Sequence, residues 1–239
     1  MNNVYPKIFS SYKKKQPQLA VLIDPDKYNL DLIKLANTCN VHYFFVGGSK
    51  LTSGNIEKTI SSIKKHSKIP VVIFPGDETQ LSAKADAVLF LSLLSGRNPE
   101  YLIGKQVLAA PFIKKKKIEC ISTAYILVEG NKKSSTQKVT NTKPLNNTAT
   151  VINTAIAAEL FGFKTIYLEA GSGAKKSINT SLIKKVKQNI NIPLLVGGGI
   201  NNLAKARQTI QSGADIIVVG NALEKNIHLL TQLSLAFKK

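Results

Sequence analysis

Three glycine-rich turns, Gly171-Ser172-Gly173, Gly197-Gly198-Gly199 and Gly220-Asn221, each follow a short apolar run, and the second and third lead into stretches of helical spacing. Backbone without side chains can aim its N–H groups at an anion, and a helix N-terminus adds partial positive charge. A single such turn says little, because glycine forms turns wherever it stands. Three behind consecutive apolar runs predict a phosphate site. Glu169 lies beside the first turn, in Tyr167-Leu168-Glu169-Ala170-Gly171. A carboxylate there can take a proton from an alcohol whose own phosphate is held close by. The competing role is a loop-orienting acid.

Earlier in the chain, Asp24 and Ser49 close the first two apolar runs. A carboxylate and a hydroxyl are hard oxygen donors that suit Mg²⁺, an ion that keeps several waters and bridges to substrate phosphates. Two other readings stand beside this one. Asp24 can cap a turn with Pro25 while Ser49 caps a helix starting near Gly54, and Asp26 can be the ligand instead. Spacing does not choose among them.

Such residues need a frame, and the chain repeats one alternation from end to end. Strands are predicted at Leu19–Ile23, His42–Val46, Pro70–Phe74, Ala87–Leu91, within Glu119–Val128, and at Thr165–Leu168, Pro193–Val196 and Asp215–Val219. Helical spacing marks Asn55–His66, Thr150–Phe161, Leu182–Ile190, Leu203–Ser212 and Ala222–Phe237. The strands are apolar throughout, as expected when both faces are buried in a parallel sheet. Eight strand–helix units in 239 residues predict a single-domain (β/α)₈ TIM barrel. The rival, an open doubly wound sheet, would carry a GxGxxG turn after its first strand, and none is there. In a barrel the site lies at the C-terminal strand ends. That places Asp24–Lys27, Gly47–Ser49, Pro75–Asp77, Ser92 onward, Glu129, Glu169–Gly173, Gly197–Gly199 and Gly220-Asn221 at one mouth.

Composition narrows the class further. The hydrophobic fraction of 44% can build a core, and no apolar run is long enough for a membrane helix. Two cysteines, Cys39 and Cys120, offer neither metal spacing nor a disulfide framework, which suits a reducing cytoplasm. With 33 basic against 14 acidic residues the net charge is +19, a value that favours anionic partners. Only Arg97 and Arg207 are arginine, so the forked contacts that read nucleic acid are missing and no nucleic-acid partner is expected. The Lys114–Lys117 run precedes the fifth strand, on the barrel face away from the mouth. It reads as a solvated connector, with contact to an anionic membrane as the other use of such a cluster. The polar stretch Glu129–Asn147 follows the fifth strand and is expected to close over the mouth as a lid.

The strings Leu22-Ile23-Asp24-Pro25-Asp26-Lys27, Val46-Gly47-Gly48-Ser49, Ile73-Phe74-Pro75-Gly76, Tyr167 to Ala174, Pro193 to Ile200, and Gly213-Ala214-Asp215 with Gly220-Asn221 resemble the geranylgeranylglyceryl phosphate synthase family, bacterial members included. The resemblance runs in order from residue 19 to about 224. It implies a Mg²⁺-dependent prenyltransferase that joins a prenyl diphosphate to the 3-hydroxyl of sn-glycerol 1-phosphate and releases diphosphate. It also implies Asp24 and Ser49 as metal ligands. Tyr167, Leu168, Glu169, Ala170, Gly171, Ser172, Gly173, Gly198, Gly199, Gly220 and Asn221 would form the glycerol-phosphate site, with Glu169 as the base. Phe74, Leu93, Phe112 and Tyr125 are candidates to line a prenyl groove, or else ordinary core. A cytoplasmic homo-oligomer, with access to the inner membrane face, is the expected setting. The alternatives are another phosphate-binding barrel acting on a sugar phosphate, or a silent polyanion-binding protein.

Overall fold

A computed structural model describes residues 3–128, 134–171, 174 and 176–237. Eight parallel strands close into a barrel in chain order: β1 (Gln18–Ile23), β2 (Tyr43–Val46), β3 (Val71–Ile73), β4 (Ala87–Leu93), β5 (Glu119–Leu127), β6 (Thr165–Glu169), β7 (Leu194–Gly197) and β8 (Ile216–Val219), with β8 pairing back to β1. The crossover helices are α2 (Leu30–Ala36), α3 (Ile56–His66), α4 (Lys105–Lys116), α6 (Thr148–Leu160), α7 (Thr180–Gln188) and α8 (Leu203–Gln211). Two shorter helices follow β8, α9 (Asn221–Lys225) and α10 (Leu229–Ser234). Another short one, α5 (Ser135–Thr140), lies after β5.

Alternation along each strand sorts the side chains into two cores. Ala20, Tyr43, Phe45, Val72, Leu89, Ile121, Tyr167, Leu195 and Val218 fill the lumen. Their neighbours Leu19, Val21, Phe44, Val71, Leu168, Val196 and Ile217 face the helices. Both faces are buried, so the strand sequences carry no polar alternation. Helix starts are set by asparagine: Asn55, Asn147 and Asn202 each accept a main-chain N–H of the first turn of α3, α6 and α8.

Besides α2, α4 and α5, which are not among the expected helices, three features depart from the expected elements. The N-terminal stretch, ahead of the first expected strand, contains α1 (Val4–Lys13), whose Val4 and Ile8 are buried in the lumen cluster. Its first N–H groups, on Val4 and Tyr5, donate to the Glu119 carboxylate at 2.5 and 2.8 Å, so α1 seals the barrel floor. The strand β4 runs two residues past Leu91, because Ser92 and Leu93 stay in register with Ala124 and Tyr125; Ser92 therefore lies inside the strand. The single helix expected over Ala222–Phe237 is broken at Asn226, whose extended backbone and side chain (accepting the His228 N–H) separate α9 from α10. A short 3₁₀ turn, Leu235–Phe237, ends the described chain.

Candidate active site

The mouth of the barrel opens into a cavity of about 580 Å³. Asp24, Ser49, Tyr167, Glu169, Gly198, Gly199, Gly220 and Asn221 all line it, so one place gathers residues spread over nearly 200 positions of sequence. The side chains of Leu168 and Ala170 instead belong to the helix-facing core, which leaves only their main chain for the site. Ser172 and Gly173, like Glu129, lie outside the described residues.

Glu169 ends β6 with its side chain turned into the barrel, 7% exposed. The Tyr167 hydroxyl donates to Glu169 Oε2 at 2.5 Å, and the Gly171 N–H donates to Oε1 at 2.7 Å. Burial pushes the carboxyl above the ordinary glutamate range, although both hydrogen bonds pull the other way. The same burial, reinforced by the negative charge of Glu169, holds the Tyr167 phenol well above its usual value, so it stays a proton donor. A carboxylate kept basic and dry is suited to accepting a proton.

The glycines beside it are required by this packing. A methyl group on Gly198 would sit 2.6 Å from Glu169 Oε1, and one on Gly197 would sit 2.0 Å from the Tyr167 hydroxyl. Gly198 and Gly199 also hold φ at +84° and +72°, the left-handed region that side chains resist. The β7 turn therefore bends its backbone tightly against the carboxylate, with Gly198 and Gly199 lining the cavity. Gly220 leads directly into α9 across from it.

On the opposite rim Asp24 and Asp26 have different partners. Asp26 is fully engaged as a tie. Its carboxylate accepts the N–H groups of Thr52, Ser53 and Gly54 and the Thr52 hydroxyl, which hold its pKa well below the usual range. Asp24 caps the 3₁₀ turn Pro25–Lys27 through Oδ1, which accepts the Asp26 N–H at 3.0 Å. Its Oδ2 lies 4.0 Å from the Lys27 ammonium. Ser49 is not a helix cap, since Asn55 performs that role for α3. A Cβ on Gly48 would approach Asp24 Oδ1 to 3.2 Å, so the Asp24 carboxylate packs directly against the residue before Ser49. Lys27 is paired with Glu224 at 2.8 Å across the rim and is not a loose cation.

No group of three or more acidic, histidine or cysteine side chains is arranged to hold a metal among the described residues. One carboxylate and one hydroxyl still fit Mg²⁺ where substrate phosphates and water complete the shell. The donor set is thin without a phosphorylated ligand and adequate with one.

The rest of the cavity is apolar. Phe74, Leu93 and Tyr125 line it as expected, whereas Phe112 points outward and is absent from the lining. Phe74 meets Tyr167 edge-on at 5.1 Å and Tyr125 stands 5.3 Å from Tyr167, an aromatic wall beside the carboxylate. From there the lining continues through Leu91, Phe90 and Val88 of β4 and Ala109 and Ile113 of α4, a slot between strand and helix. Over the mouth lies α5, whose Thr136, Val139 and Thr140 reach the cavity, with the Tyr125 hydroxyl 3.3 Å from Thr136. Of the stretch expected as a lid, Ser135–Thr140 take this position, Leu145 instead bridges Val128, and 129–133 lie outside the described residues.

Sequence reasoning passed over two parts of the rim. Gln80 accepts the Gly48 and Gly76 N–H groups and donates to the Gly48 carbonyl, which fixes the β2 and β3 turns against each other. Lys105 bridges Asp77 and Glu78 from the start of α4. Burial works against charge on Asp77, yet the Lys105 ammonium and the Thr79 N–H hold it at about 2. The only signal for either was an acid pair, Asp77-Glu78, after β3.

A closed parallel barrel with a buried carboxylate among glycine turns at its mouth defines a (β/α)₈ protein whose candidate site lies where this fold carries its chemistry. Comparison with known proteins specifies it. Residues 12–235 match the PcrB family, and the chain belongs to that family. It is 47% identical over 234 residues to the geranylgeranylglyceryl phosphate synthase of Flavobacterium johnsoniae, covering 95% of this chain and 96% of that one. To the enzyme of the same name from Pyrococcus horikoshii it is 40% identical over 210 residues, covering 86% and 83%. Its fold superposes with a TM-score of 0.92, at 31% identity and over 100% of this chain and 99% of the other, on the crystal structure of (S)-3-O-geranylgeranylglyceryl phosphate synthase from Thermoplasma acidophilum in complex with substrate sn-glycerol-1-phosphate. The protein is an enzyme, a prenyltransferase.

Proposed function

We propose that this prenyltransferase forms the ether between a prenyl diphosphate, geranylgeranyl or of similar length, and the 3-hydroxyl of sn-glycerol 1-phosphate. The observation that carries the reading is the position of Glu169, buried where the glycine turns meet the apolar slot and held by Tyr167 and the Gly171 N–H. The glycine turns after β6, β7 and β8 would hold the acceptor's phosphate through main-chain N–H groups. The acceptor hydroxyl then faces Glu169. As the hydroxyl oxygen bonds to the first prenyl carbon, the bond from that carbon to diphosphate breaks and the hydroxyl proton passes to the carboxylate. Asp24 and Ser49 would hold Mg²⁺, whose chemistry is to neutralise charge building on the departing diphosphate. The slot between β4 and α4 gives the prenyl chain an apolar bed, and α5 covers the mouth.

A sugar-phosphate enzyme on the same frame has less support. A Schiff-base aldolase needs a lysine on a strand, and none of the eight strands contains one. A long apolar slot would also have no use with a sugar. The test is incubation with radiolabelled sn-glycerol 1-phosphate, Mg²⁺ and prenyl diphosphates of several lengths. Labelled lipid is expected with at least one donor and only when Mg²⁺ is present. Absence of labelled lipid with every donor overturns the reading.

A further inference from the structure

The helix α4 is apolar on both faces. Its inner face, with Ala109 and Ile113, closes the slot, and these side chains are buried. The outer face carries Val107 at 62% exposed, Leu108 at 63% and Phe112 at 36%, with Ile103 at 63% on the π-helical turn Glu100–Gly104 just before it. A helix at the surface of a soluble domain normally keeps one polar face. The last turn of α4 then supplies Lys114, Lys115 and Lys116, and Lys117 follows, all four exposed and none in an ion pair among the described residues. At the mouth end the stripe reaches Tyr101, whose hydroxyl bonds the Val139 carbonyl of α5 at 3.2 Å, and Val139 is itself exposed.

We propose that the outer face of α4 docks this protein on an anionic phospholipid bilayer. The two halves of the surface match the two halves of that partner. Ile103, Val107, Leu108 and Phe112 can enter the boundary between headgroups and acyl chains, while the four lysines meet the anionic headgroups. Neither signal is sufficient alone, because stable peripheral binding needs an apolar and a basic contribution together. Charge complementarity favours a bilayer over a second copy of the chain. A second copy of this chain, with 14 acidic residues against 33 basic and a net charge of +19, offers the four lysines few acids to pair with. The consequence concerns access. Only the thickness of one helix, about 10 Å, separates the docked face from the slot, and the stripe leads to the cavity mouth under α5. If the slot holds a prenyl chain, as the synthase reading has it, donor and product travel between bilayer and site without crossing water.

The test is flotation of the full chain, without substrates, with vesicles of phosphatidylcholine alone and of phosphatidylcholine mixed with phosphatidylglycerol. Binding is expected to the mixed vesicles and to weaken steeply with salt. Val107→Gln with Leu108→Gln should lower the partition coefficient at least tenfold, and so should Phe112→Gln made separately. Lys114→Gln, Lys115→Gln and Lys116→Gln together should lower it about a hundredfold. Circular dichroism and thermal melting identify any variant that has failed to fold, and with two apolar variants at different ends of the stripe a local failure does not decide the outcome. Binding that survives in both apolar variants overturns the proposal, as does equal binding to neutral vesicles or no binding at all. Dissociation of an oligomer by Val107→Gln with Leu108→Gln, seen by sedimentation velocity, would assign the face to a second copy and also overturn it. Product formation from a short, water-soluble prenyl diphosphate in vesicle-free buffer should be unchanged in all three variants. Its absence in the parent protein would count against the synthase reading alone.

Discussion

Two glycines with nearly the same backbone allow the carboxylate's packing to be separated from backbone strain. Gly162, after the end of α6, has φ +81° and nothing within 4 Å of where a Cβ would be. Gly198 has φ +84°, but its Cβ would fall 2.6 Å from Glu169 Oε1 and 3.0 Å from the Ala170 Cβ. Alanine at either position incurs the left-handed penalty, about 1–2 kcal/mol. Only at 198 is there crowding as well, worth a further 1–3 kcal/mol or so by analogy with overpacked cores. For a chain of this size each 1 kcal/mol moves Tm by roughly 2–4 °C. Gly162→Ala should therefore melt a few degrees low with full activity. Gly198→Ala should melt about twice as far below the parent and lose most of its turnover, since Glu169 can relieve the contact only by leaving its hydrogen bonds. Differential scanning calorimetry and the labelled-lipid assay on both variants measure this. Equal melting temperatures, or a Gly198→Ala enzyme with normal turnover, would refute the packing argument.

The remaining expectations concern the carboxylate and the rim. Glu169→Gln should abolish product while sparing sn-glycerol 1-phosphate binding by calorimetry, because the amide can accept the Gly171 N–H and donate to a reoriented Tyr167 hydroxyl; parallel loss of binding would demote Glu169 to a binding residue. Its raised pKa means the folded state binds a proton more tightly than the unfolded chain, so this group's contribution to stability falls as pH rises from the ordinary value of 4.5 through the raised one. The same variant should accordingly flatten that slope in urea denaturation across the window, and an unchanged slope would contradict the burial argument. Tyr167→Phe removes a hydrogen bond that favours the charged carboxylate, so the acid limb of kcat/KM should move to higher pH; a limb that stays in place would show the bond has no such effect. Asp26→Asn should raise the Mg²⁺ concentration needed for half-maximal activity several-fold with sn-glycerol 1-phosphate affinity unchanged, because the tie between the β1 and β2 turns positions Asp24 and Ser49.

Much of this was legible in the residues, for identifiable reasons. Strands buried on both faces are written as unbroken apolar runs, so their number and order could be counted, and the glycine turns fell behind them where a barrel puts its site. The α1 helix escaped because its apolar stripe of Val4, Tyr5, Ile8, Phe9 and Tyr12 is short and carries Pro6, and the burial of Val4 and Ile8 depends on a floor that exists only after closure. The α4 helix escaped because it lacks an apolar–polar period and contains Pro111. Spacing could not show that Asp26 is a tie, because that role rests on main-chain N–H groups of residues 52–54, which a different loop brings alongside. Likewise the residue identities at 167 and 169 suggest proximity, but only the i, i+2 inward pointing of β6 turns them into a hydrogen-bonded pair.

The plug at the barrel floor has a bearing on how the molecule is made. The carboxylate that receives the first N–H groups of α1 belongs to Glu119, 115 residues downstream of Val4. At a ribosomal pace of about 5–20 residues per second, this first helix waits several seconds or more for its anchor. During that interval Val4 and Ile8 have no lumen to enter. Completion of the bottle and insertion of its stopper are thus late and concerted, and a nascent chain halted before β5 should present that amphipathic segment to chaperones.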